Sequence, residues 1–359
     1  MAAPATELPD VLVEDVLFRI PTDDPTTLVR AALVCKQWRR LTSDPGLRRR
    51  YRELHGAPPM LGVLCNGIYV TCKARFVSTS SFRSRRAIKS DRHVVDARHG
   101  RVLLQYRNIT FAVWDPIKDE TWELPEIPFV DDGSPLRGCA AVLCAAAAGG
   151  CDHLHCQRGP FRVVFVADSA RKGRTLVYIY SSEDGVWRNH KSSKQLRAST
   201  LFRDHDLVCS ELIGNAVHFM FKDDTWKGAT IIKYDLVTRV TSEIPTPPKP
   251  SNGLLMTTED GNLGFASRWE GSNNKVILWS RQQAATSNAY DGWVPIRVIQ
   301  LPTVLPANLV GFATGVRILF FTTRNGVYAM DLKSSKTKTI CMNNGFYRVF
   351  PYTSFYPFY

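Results

Sequence analysis

Residues 113–122, VWDPIKDETW, set the pattern that most of this 359-residue chain follows. An apolar run ends in an aromatic side chain, a polar turn follows, and a second aromatic side chain comes after the turn. Apolar runs on both sides of a turn indicate antiparallel strands. The same order, with an aromatic or aliphatic residue in each place, recurs around four further anchors: Tyr180, Tyr234, Trp279 and Met330.

The spacing of these anchors indicates the architecture. Counted from Trp114, the intervals are 66, 54, 45 and 51 residues. A period of about 50 residues is typical of the four-stranded blades of a kelch-like propeller. The long first interval contains an Ala/Gly-rich stretch, residues 138–159, which we interpret as a loop insertion. We therefore expect one propeller-like β domain over residues 57–359, with a number of blades that the repeat does not give.

Short apolar runs bounded by turn residues predict twelve strands after residue 56. The aromatic tail, residues 350–356, is expected to supply a further strand that pairs with the first blade, because a closed ring protects the edges of its sheets. The twelve predicted strands are residues 60–64, 75–77, 102–106, 111–114, 162–167, 176–180, 216–221, 230–234, 263–267, 276–279, 316–322 and 327–331.

Residues 1–56 carry a helical pattern instead. Apolar residues from Leu12 to Ile20 follow the period of a helix, Asp24-Pro25 begins a second helix, and a third ends near Asp44-Pro45. Three helices in so few residues cannot bury their own apolar surface. A partner or the rest of the chain must therefore cover four of their side chains: Leu12, Val16, Leu17 and Trp38.

The N-terminal segment resembles an F-box. The stretches that carry the resemblance are Leu8-Pro9-Asp10, residues 16–21, residues 33–41 and Ser43-Asp44-Pro45. This resemblance implies that the segment docks onto the Skp-type adaptor of an SCF ubiquitin ligase, with the cullin scaffold beyond the adaptor. Val11 and Val13 depart from the Glu and Leu that are common in the family. By position, the residues that form or support the adaptor-facing surface are Leu8, Pro9, Leu12, Leu17, Leu28, Val34, Cys35 and Trp38.

The remainder resembles the F-box-associated domain of a large plant family, particularly its grass branch. This resemblance implies a propeller-like platform that binds a target protein, and it does not name the target. The stretches that carry it are residues 159–166, 180–187, 263–267, 309–313 and 350–356.

The fold class expected from these patterns is α+β and multidomain, with a short three-helix F-box followed by an all-β propeller-like domain. The expected function is that of a non-catalytic substrate receptor in an SCF-type ubiquitin ligase, located in the nucleus, the cytoplasm or both. No cofactor and no membrane partner are expected, because catalytic and phosphate-binding motifs are lacking and no apolar run spans a bilayer. The alternatives are a propeller enzyme and a basic propeller protein that binds nucleic acid.

The net charge of +13 is confined to two windows. Residues 36–52 hold seven basic residues against one acidic, and residues 73–101 hold nine against two. We expect the second window, which includes Arg83, Arg85 and Arg86, to be an exposed loop. Such a patch suits an acidic partner, and nucleic acid is the less favoured ligand.

One cluster has metal-ligand residue types, namely Cys151-Asp152-His153-Leu154-His155-Cys156. Adjacent ligands such as His155 and Cys156 strain a tetrahedral site, and no second ligand pair lies nearby in the sequence. We therefore expect a solvent-exposed loop without a metal. The nine cysteines are expected to be reduced, since their number is odd and the chain shows no secretion signal.

Overall fold

Four helices open the chain in this computed structural model: α1 (Asp10–Phe18), α2 (Pro25–Ala32), α3 (Lys36–Ser43) and α4 (Pro45–His55). None of the described helices is long and apolar enough to cross a membrane. The structure describes residues 8–67, 74–85, 87–89, 91–106, 109–128, 137–148, 151, 153–154, 156–169, 174–191, 210–222, 229–248, 253–269, 271–272, 274–282, 292–302, 307–342 and 345–355.

The fourth helix was not expected from the sequence, because Asp44-Pro45 was interpreted as the end of a helix. In the structure Asp44 caps the start of α4, and its side chain accepts the backbone N–H of Leu47 at 2.7 Å. Pro45 occupies the first turn, where a missing N–H costs nothing. Asp24-Pro25 starts α2 in the same way, with Asp24 bonded to the N–H of Thr27.

The strands of the described residues form six antiparallel sheets. The chain passes from α4 through Gly56 to the first strand at Met60, so the division expected between residues 56 and 57 lies in this connection. Sheet 1 contains β1 (Met60–Gly67), β2 (Arg75–Ser78) and β23 (Phe346–Thr353). Sheet 2 contains β3 (His93–Arg98), β4 (Arg101–Tyr106), β5 (Thr110–Asp115) and β6 (Glu120–Glu123).

The other four sheets have four strands each. Sheet 3 contains β7 (Arg137–Cys144), β8 (Phe161–Ser169), β9 (Arg174–Ser181) and β10 (Val186–Lys191). Sheet 4 contains β11 (Ser210–Ile213), β12 (Ala216–Lys222), β13 (Ala229–Asp235) and β14 (Thr241–Pro245). Sheet 5 contains β15 (Leu254–Thr257), β16 (Leu263–Arg268), β17 (Lys275–Arg281) and β18 (Trp293–Gln300). Sheet 6 contains β19 (Asn308–Ala313), β20 (Ile318–Thr323), β21 (Gly326–Asp331) and β22 (Thr337–Cys341).

The six sheets are the blades of a closed propeller. One strand of each sheet faces the centre, and β23, β3, β7, β11, β15 and β19 contact one another in turn around the ring. The last strand, β23, pairs with the first, β1, with Leu64 opposite Phe350 and Val63 opposite Pro351. The chain therefore closes its own ring, and the predicted pairing of the aromatic tail with the first blade is confirmed.

The repeat seen in the sequence corresponds to one strand position. Every anchor lies near the end of the third strand of its blade: Trp114, Tyr180, Tyr234 and Met330 are penultimate residues, and Trp279 lies two residues before the end of β17. The loop insertion expected over residues 138–159 is wrong in its first part. Residues 138–144 belong to β7, where Cys139, Ala141 and Leu143 pack in one core cluster and Ala140 and Val142 pack in another.

Candidate docking surface

The helices expose an apolar surface along the start of α1 and the connection between α2 and α3. Leu33 and Val34 are 67% and 63% exposed, and Leu8 and Leu12 are each 51% exposed. Exposed apolar side chains that occur singly are ordinary, whereas several on one short helical unit indicate an interaction site. The residues of this docking surface are Leu8, Pro9, Val11, Leu12, Val16, Leu33, Val34 and Cys35.

Hydrogen bonds and an ion pair connect the two parts of the docking surface, the start of α1 and the α2–α3 connection. The Gln37 side chain donates from Nε2 to the carbonyl of Leu8 at 2.7 Å and to Asp10 Oδ1 at 2.8 Å. Arg40 adds an ion pair with Asp10 at 2.6 Å. Hydrogen bonds from Gln37 and Arg40 keep the pKa of the Asp10 carboxyl below its usual range, so it is ionised at neutral pH. These contacts place the start of α1 beside the α2–α3 connection.

Two residues that the sequence assigned to the adaptor surface lie beneath it. Leu17 and Leu28 are buried in the core of the helices, with Val13, Leu41 and Tyr51. Leu17 makes no direct contact with a partner in this arrangement, because its side chain has no exposed area. Trp38 is half-buried and packs against the same core. Leu17 and Leu28 can only support the surface that the exposed residues form.

The helical core is completed by side chains of the propeller. Phe355, two residues after β23, is buried among the helix residues, and Leu154 of the β7–β8 connection packs against them. Arg52 of α4 lies over the Phe355 ring at 5.7 Å and donates to the carbonyl of Leu154. On the other side, Ser81 bonds to Asp24 at the start of α2. The helices are thus fixed to the propeller, and the residues of their docking surface stay exposed.

A cavity of about 280 Å³ lies at the centre of the ring. In it, Arg98 of β3 donates to Ser210 of β11 and pairs with Asp96 at 2.9 Å. Glu211 accepts hydrogen bonds from Thr257 at 2.7 Å and Thr314 at 2.6 Å. Polar side chains of four blades therefore meet across the axis. No sequence pattern indicates this network, because its residues lie on or next to inner strands that the apolar runs do not predict.

The second basic window is not one exposed loop, which corrects the expectation from the sequence. Arg92, Arg98 and Arg101 are largely buried, and Arg92 pairs with Glu123 at 2.7 Å. Arg83 and Arg85 are exposed, whereas Lys73 and Arg86 lie outside the described residues. Buried and paired guanidinium groups are unable to contact phosphates, so the basis for the nucleic-acid alternative is weakened.

The Cys-His segment also differs from the solvent-exposed loop that was expected. Cys151, His153, Leu154 and Cys156 are all partly buried, whereas Asp152 and His155 lie outside the described residues. His99, from the β3–β4 turn, stacks on His153 with ring centroids 4.1 Å apart. No sequence signal connects His99 with this segment, because 54 positions separate it from His153.

Comparisons with known proteins agree with the two parts of the fold. An F-box-like family model matches residues 5–53, which span the four helices except the last two residues of α4. No curated protein sequence matches the chain.

Solved structures similar to this chain have low identity and low TM-scores, so they carry no argument about its function. A chain of the mitotic checkpoint complex is 15% identical with a TM-score of 0.36, over 67% of this chain and 63% of that one. The β-propeller domain of Myceliophthora thermophila Cps50 (Swd1) is 12% identical with a TM-score of 0.40, over 76% and 81%. Penicillium chrysogenum α-L-arabinanase is 10% identical with a TM-score of 0.39, over 73% and 81%.

Proposed function

We propose that this protein is the substrate receptor of an SCF-type ubiquitin ligase, with its F-box-like helices on a Skp-type adaptor and a target protein on the propeller. The observation that carries the proposal is the docking surface. The propeller contributes Phe355 and Leu154 to the core in which Leu17 is buried, yet it leaves Leu12, Val34 and their neighbours exposed. Burying such apolar area contributes about 25 cal/mol per Å², so a partner surface would be strongly favoured there.

The finer features of the proposal come from the resemblance in the sequence. A cullin scaffold beyond the adaptor, a kelch-like kind of propeller, a plant origin and a nuclear or cytoplasmic location all belong to it. The protein itself performs no chemistry in this scheme. It holds the target at a fixed distance from the ubiquitin-charged enzyme, and the attachment of α4 to Phe355 supports that role because it limits movement between helices and propeller.

Binding of a purified Skp-type adaptor to the full chain tests the proposal. Leu12→Asp and Val34→Asp place a charge on the docking surface without disturbing a buried side chain. We expect each to weaken adaptor binding by at least about tenfold, or about 1.4 kcal/mol, since a charge is then buried without a partner. Val237→Asp is the matched control, because Val237 is 57% exposed in a propeller turn.

Isothermal titration calorimetry would report the affinities, and circular dichroism would show that each variant is folded. Unchanged affinity in both docking-surface variants would contradict the proposal. Equal losses in all three variants would also contradict it, because the effect would then not depend on the docking surface.

A further inference from the structure

Five metal-ligand side chains meet between the second and third blades, near the central cavity. His99 comes from the β3–β4 turn, and Cys144 ends β7. Cys151, His153 and Cys156 come from the connection between β7 and β8. The ligand atoms of His99, Cys144, His153 and Cys156 all lie within 4.8 Å of one another. The fold therefore adds Cys144 and His99 to the three ligand residues that lie close together in the sequence around Cys156.

The distances within the cluster fit a tetrahedral ion. His153 Nδ1 lies 3.3 Å from Cys144 Sγ and 3.6 Å from Cys156 Sγ. With zinc–sulfur bonds of about 2.3 Å and zinc–nitrogen bonds of about 2.0 Å, a tetrahedron places sulfur and nitrogen about 3.5 Å apart. The two measured distances lie on either side of that value. Cys144, His153 and Cys156 are thus arranged as three corners of a zinc site.

The thiols also contact one another. Cys144 Sγ has the Cys156 thiol, the Cys151 thiol and His153 Nδ1 as hydrogen-bond partners. A thiolate is the form of cysteine that binds metals, so a bound dication would displace the protons that these groups share.

Two side chains compete for the fourth corner, and the hydrogen bonds favour Cys151. His99 Nδ1 accepts the backbone N–H of Cys144 at 3.1 Å, so that lone pair is already used, and in the neutral ring Nε2 carries the proton. Cys151 Sγ interacts with both other thiols and accepts the backbone N–H of His153 at 3.3 Å. Such N–H donors stabilise the negative charge of a metal-bound thiolate.

Charge balance supports the same choice. Zinc with three thiolates carries one negative charge, which costs free energy in a buried place unless a cation lies near it. Arg101 is 3% exposed and donates to the carbonyl of Cys156 at 3.1 Å. Its guanidinium therefore lies beside the cluster and offsets that charge.

We propose that Cys144, Cys151, His153 and Cys156 bind a zinc-type divalent cation as a structural site, with His99 as a positioning residue that packs on His153. The site joins the end of β7 to the segment that carries Leu154, and Leu154 packs against the helical core. The ion thereby fixes the part of the propeller on which the helices rest. This inference does not depend on the proposed ligase function.

The first test is the metal content of the full wild-type chain. The protein is purified without a metal-affinity column, and zinc is measured by inductively coupled plasma mass spectrometry. We expect one zinc per chain, and cobalt substitution should give the thiolate-to-metal charge-transfer and d–d bands of a tetrahedral site. Intact mass under denaturing conditions is measured in parallel, since a disulfide between two of the three thiols would lower the mass by two hydrogens.

Variants then identify the ligands. We expect Cys156→Ser and Cys151→Ser each to weaken zinc binding by more than the roughly 10- to 100-fold that loss of an outer partner costs. Cys341→Ser is the control, because the Cys341 thiol forms a hydrogen bond with the Cys65 thiol at a different place in the ring. It should leave the metal content unchanged.

A matched variant at His99 decides the fourth ligand. Its φ of 53° suits asparagine, and an asparagine oxygen can still accept the Cys144 N–H. We expect His99→Asn to keep one zinc per chain. Loss of zinc in His99→Asn with retention in Cys151→Ser would overturn the assignment of the fourth ligand. A wild-type chain without stoichiometric zinc, or with a disulfide in its place, would overturn the site itself, whether or not any variant folds.

Discussion

Asp96 shows how a single buried residue connects neighbouring blades. Its Oδ2 accepts the backbone N–H of Val142 in β7 at 2.8 Å and pairs with Arg98 at 2.9 Å. Burial raises the pKa of Asp96 to about 6, although the Arg98 charge and the backbone N–H groups oppose that rise. The folded protein therefore binds a proton here at pH values where the unfolded chain, with a pKa near 3.8, does not.

The sign of the pH dependence follows from this difference. Because the pKa is higher in the folded state, the contribution of Asp96 to stability is full below about pH 4 and is lost as the pH rises to 6. We expect Asp96→Asn to remove this slope. The free energy of unfolding of the variant minus that of wild type should increase by up to about 3 kcal/mol between pH 4 and 7, at about 1.4 kcal/mol per pKa unit. Urea unfolding at both pH values measures it.

Asp331→Asn is the control with the opposite sign. Asp331 accepts the backbone N–H groups of Ser334 and Lys333, which lower the pKa of its carboxyl in the folded state. Its contribution is present above about pH 4 and is lost in acid. The free energy of unfolding of the variant minus that of wild type should therefore decrease as the pH rises from the acid range to about 4, and change little between pH 4 and 7. A curve for Asp96→Asn that is parallel to wild type would contradict the electrostatic account of this residue.

At the scale of elements, one turn recurs after the third strand of four blades. Its first residue, Asp115 in the second blade, accepts backbone N–H groups two and three positions later. The fifth residue donates its N–H to the carbonyl of the first and has a left-handed backbone. The left-handed residues are Asp119 (φ 63°), Gly185 (φ 70°), Arg239 (φ 60°) and Ser335 (φ 57°). The turn sets the angle at which the outer strand returns to its blade.

Substitution of Gly185 tests the backbone of this turn. No atom lies within 4 Å of the place where its Cβ would be, so an added side chain meets only the cost of the left-handed backbone. We expect Gly185→Ala to destabilise the protein by about 1–2 kcal/mol and Gly185→Asn by clearly less, because asparagine tolerates this backbone. Chemical denaturation of the two variants provides the comparison. Equal costs for both would show that a contact, and not the backbone, is responsible.

At the scale of the whole molecule, the closure of the ring depends on a close contact between β19 and β23. A Cβ at Gly311 would lie 2.1 Å from the carbonyl oxygen of Val349. We expect Gly311→Ala to cost about 1–3 kcal/mol or more, because backbone has to move where the first and last blades meet. Gly315→Ala is the control, since nothing lies within 4 Å of its Cβ position.

Denaturant unfolding and hydrogen exchange would follow the effect of Gly311→Ala. Faster exchange should be concentrated in β23 and β19. Uniformly faster exchange in all six blades would count against a local opening of the ring at this contact.

Phe355 is expected to link the stability of the helices to that of the propeller. It is buried in the helical core, and truncation of a core phenylalanine costs about 3–5 kcal/mol. We expect Phe355→Ala to speed hydrogen exchange in α1 to α4 and to leave the inner strands protected. Hydrogen exchange with mass spectrometry measures both. Loss of protection in β23 before the helices would contradict this order.

The strands that could be predicted from the sequence share a position in the blade. Ten of the twelve predicted strands correspond to the second and third strands of the five four-stranded sheets. These strands are packed by neighbouring blades on both faces, so their residues form apolar runs. The inner strands β3, β7, β11, β15 and β19 were not predicted, because several contribute small or polar residues to the centre, such as Asp96 and Ser210. Local hydrophobicity therefore marks the middle of each blade only.

The sequence by itself determined the helical start and the propeller repeat, since each depends on residues close together in the chain. It also indicated the closing role of the aromatic tail, because a ring of repeated blades leaves a first strand that needs a partner. Only the tertiary structure decided which apolar helix residues remain exposed, because Phe355 and Leu154 join the core around Leu17 from distant parts of the chain. It also decided the Cys-His cluster, in which the β3–β4 turn brings His99 onto His153. The physical reason is that burial and ligand geometry depend on distances between blades, which the order of residues along one strand does not contain.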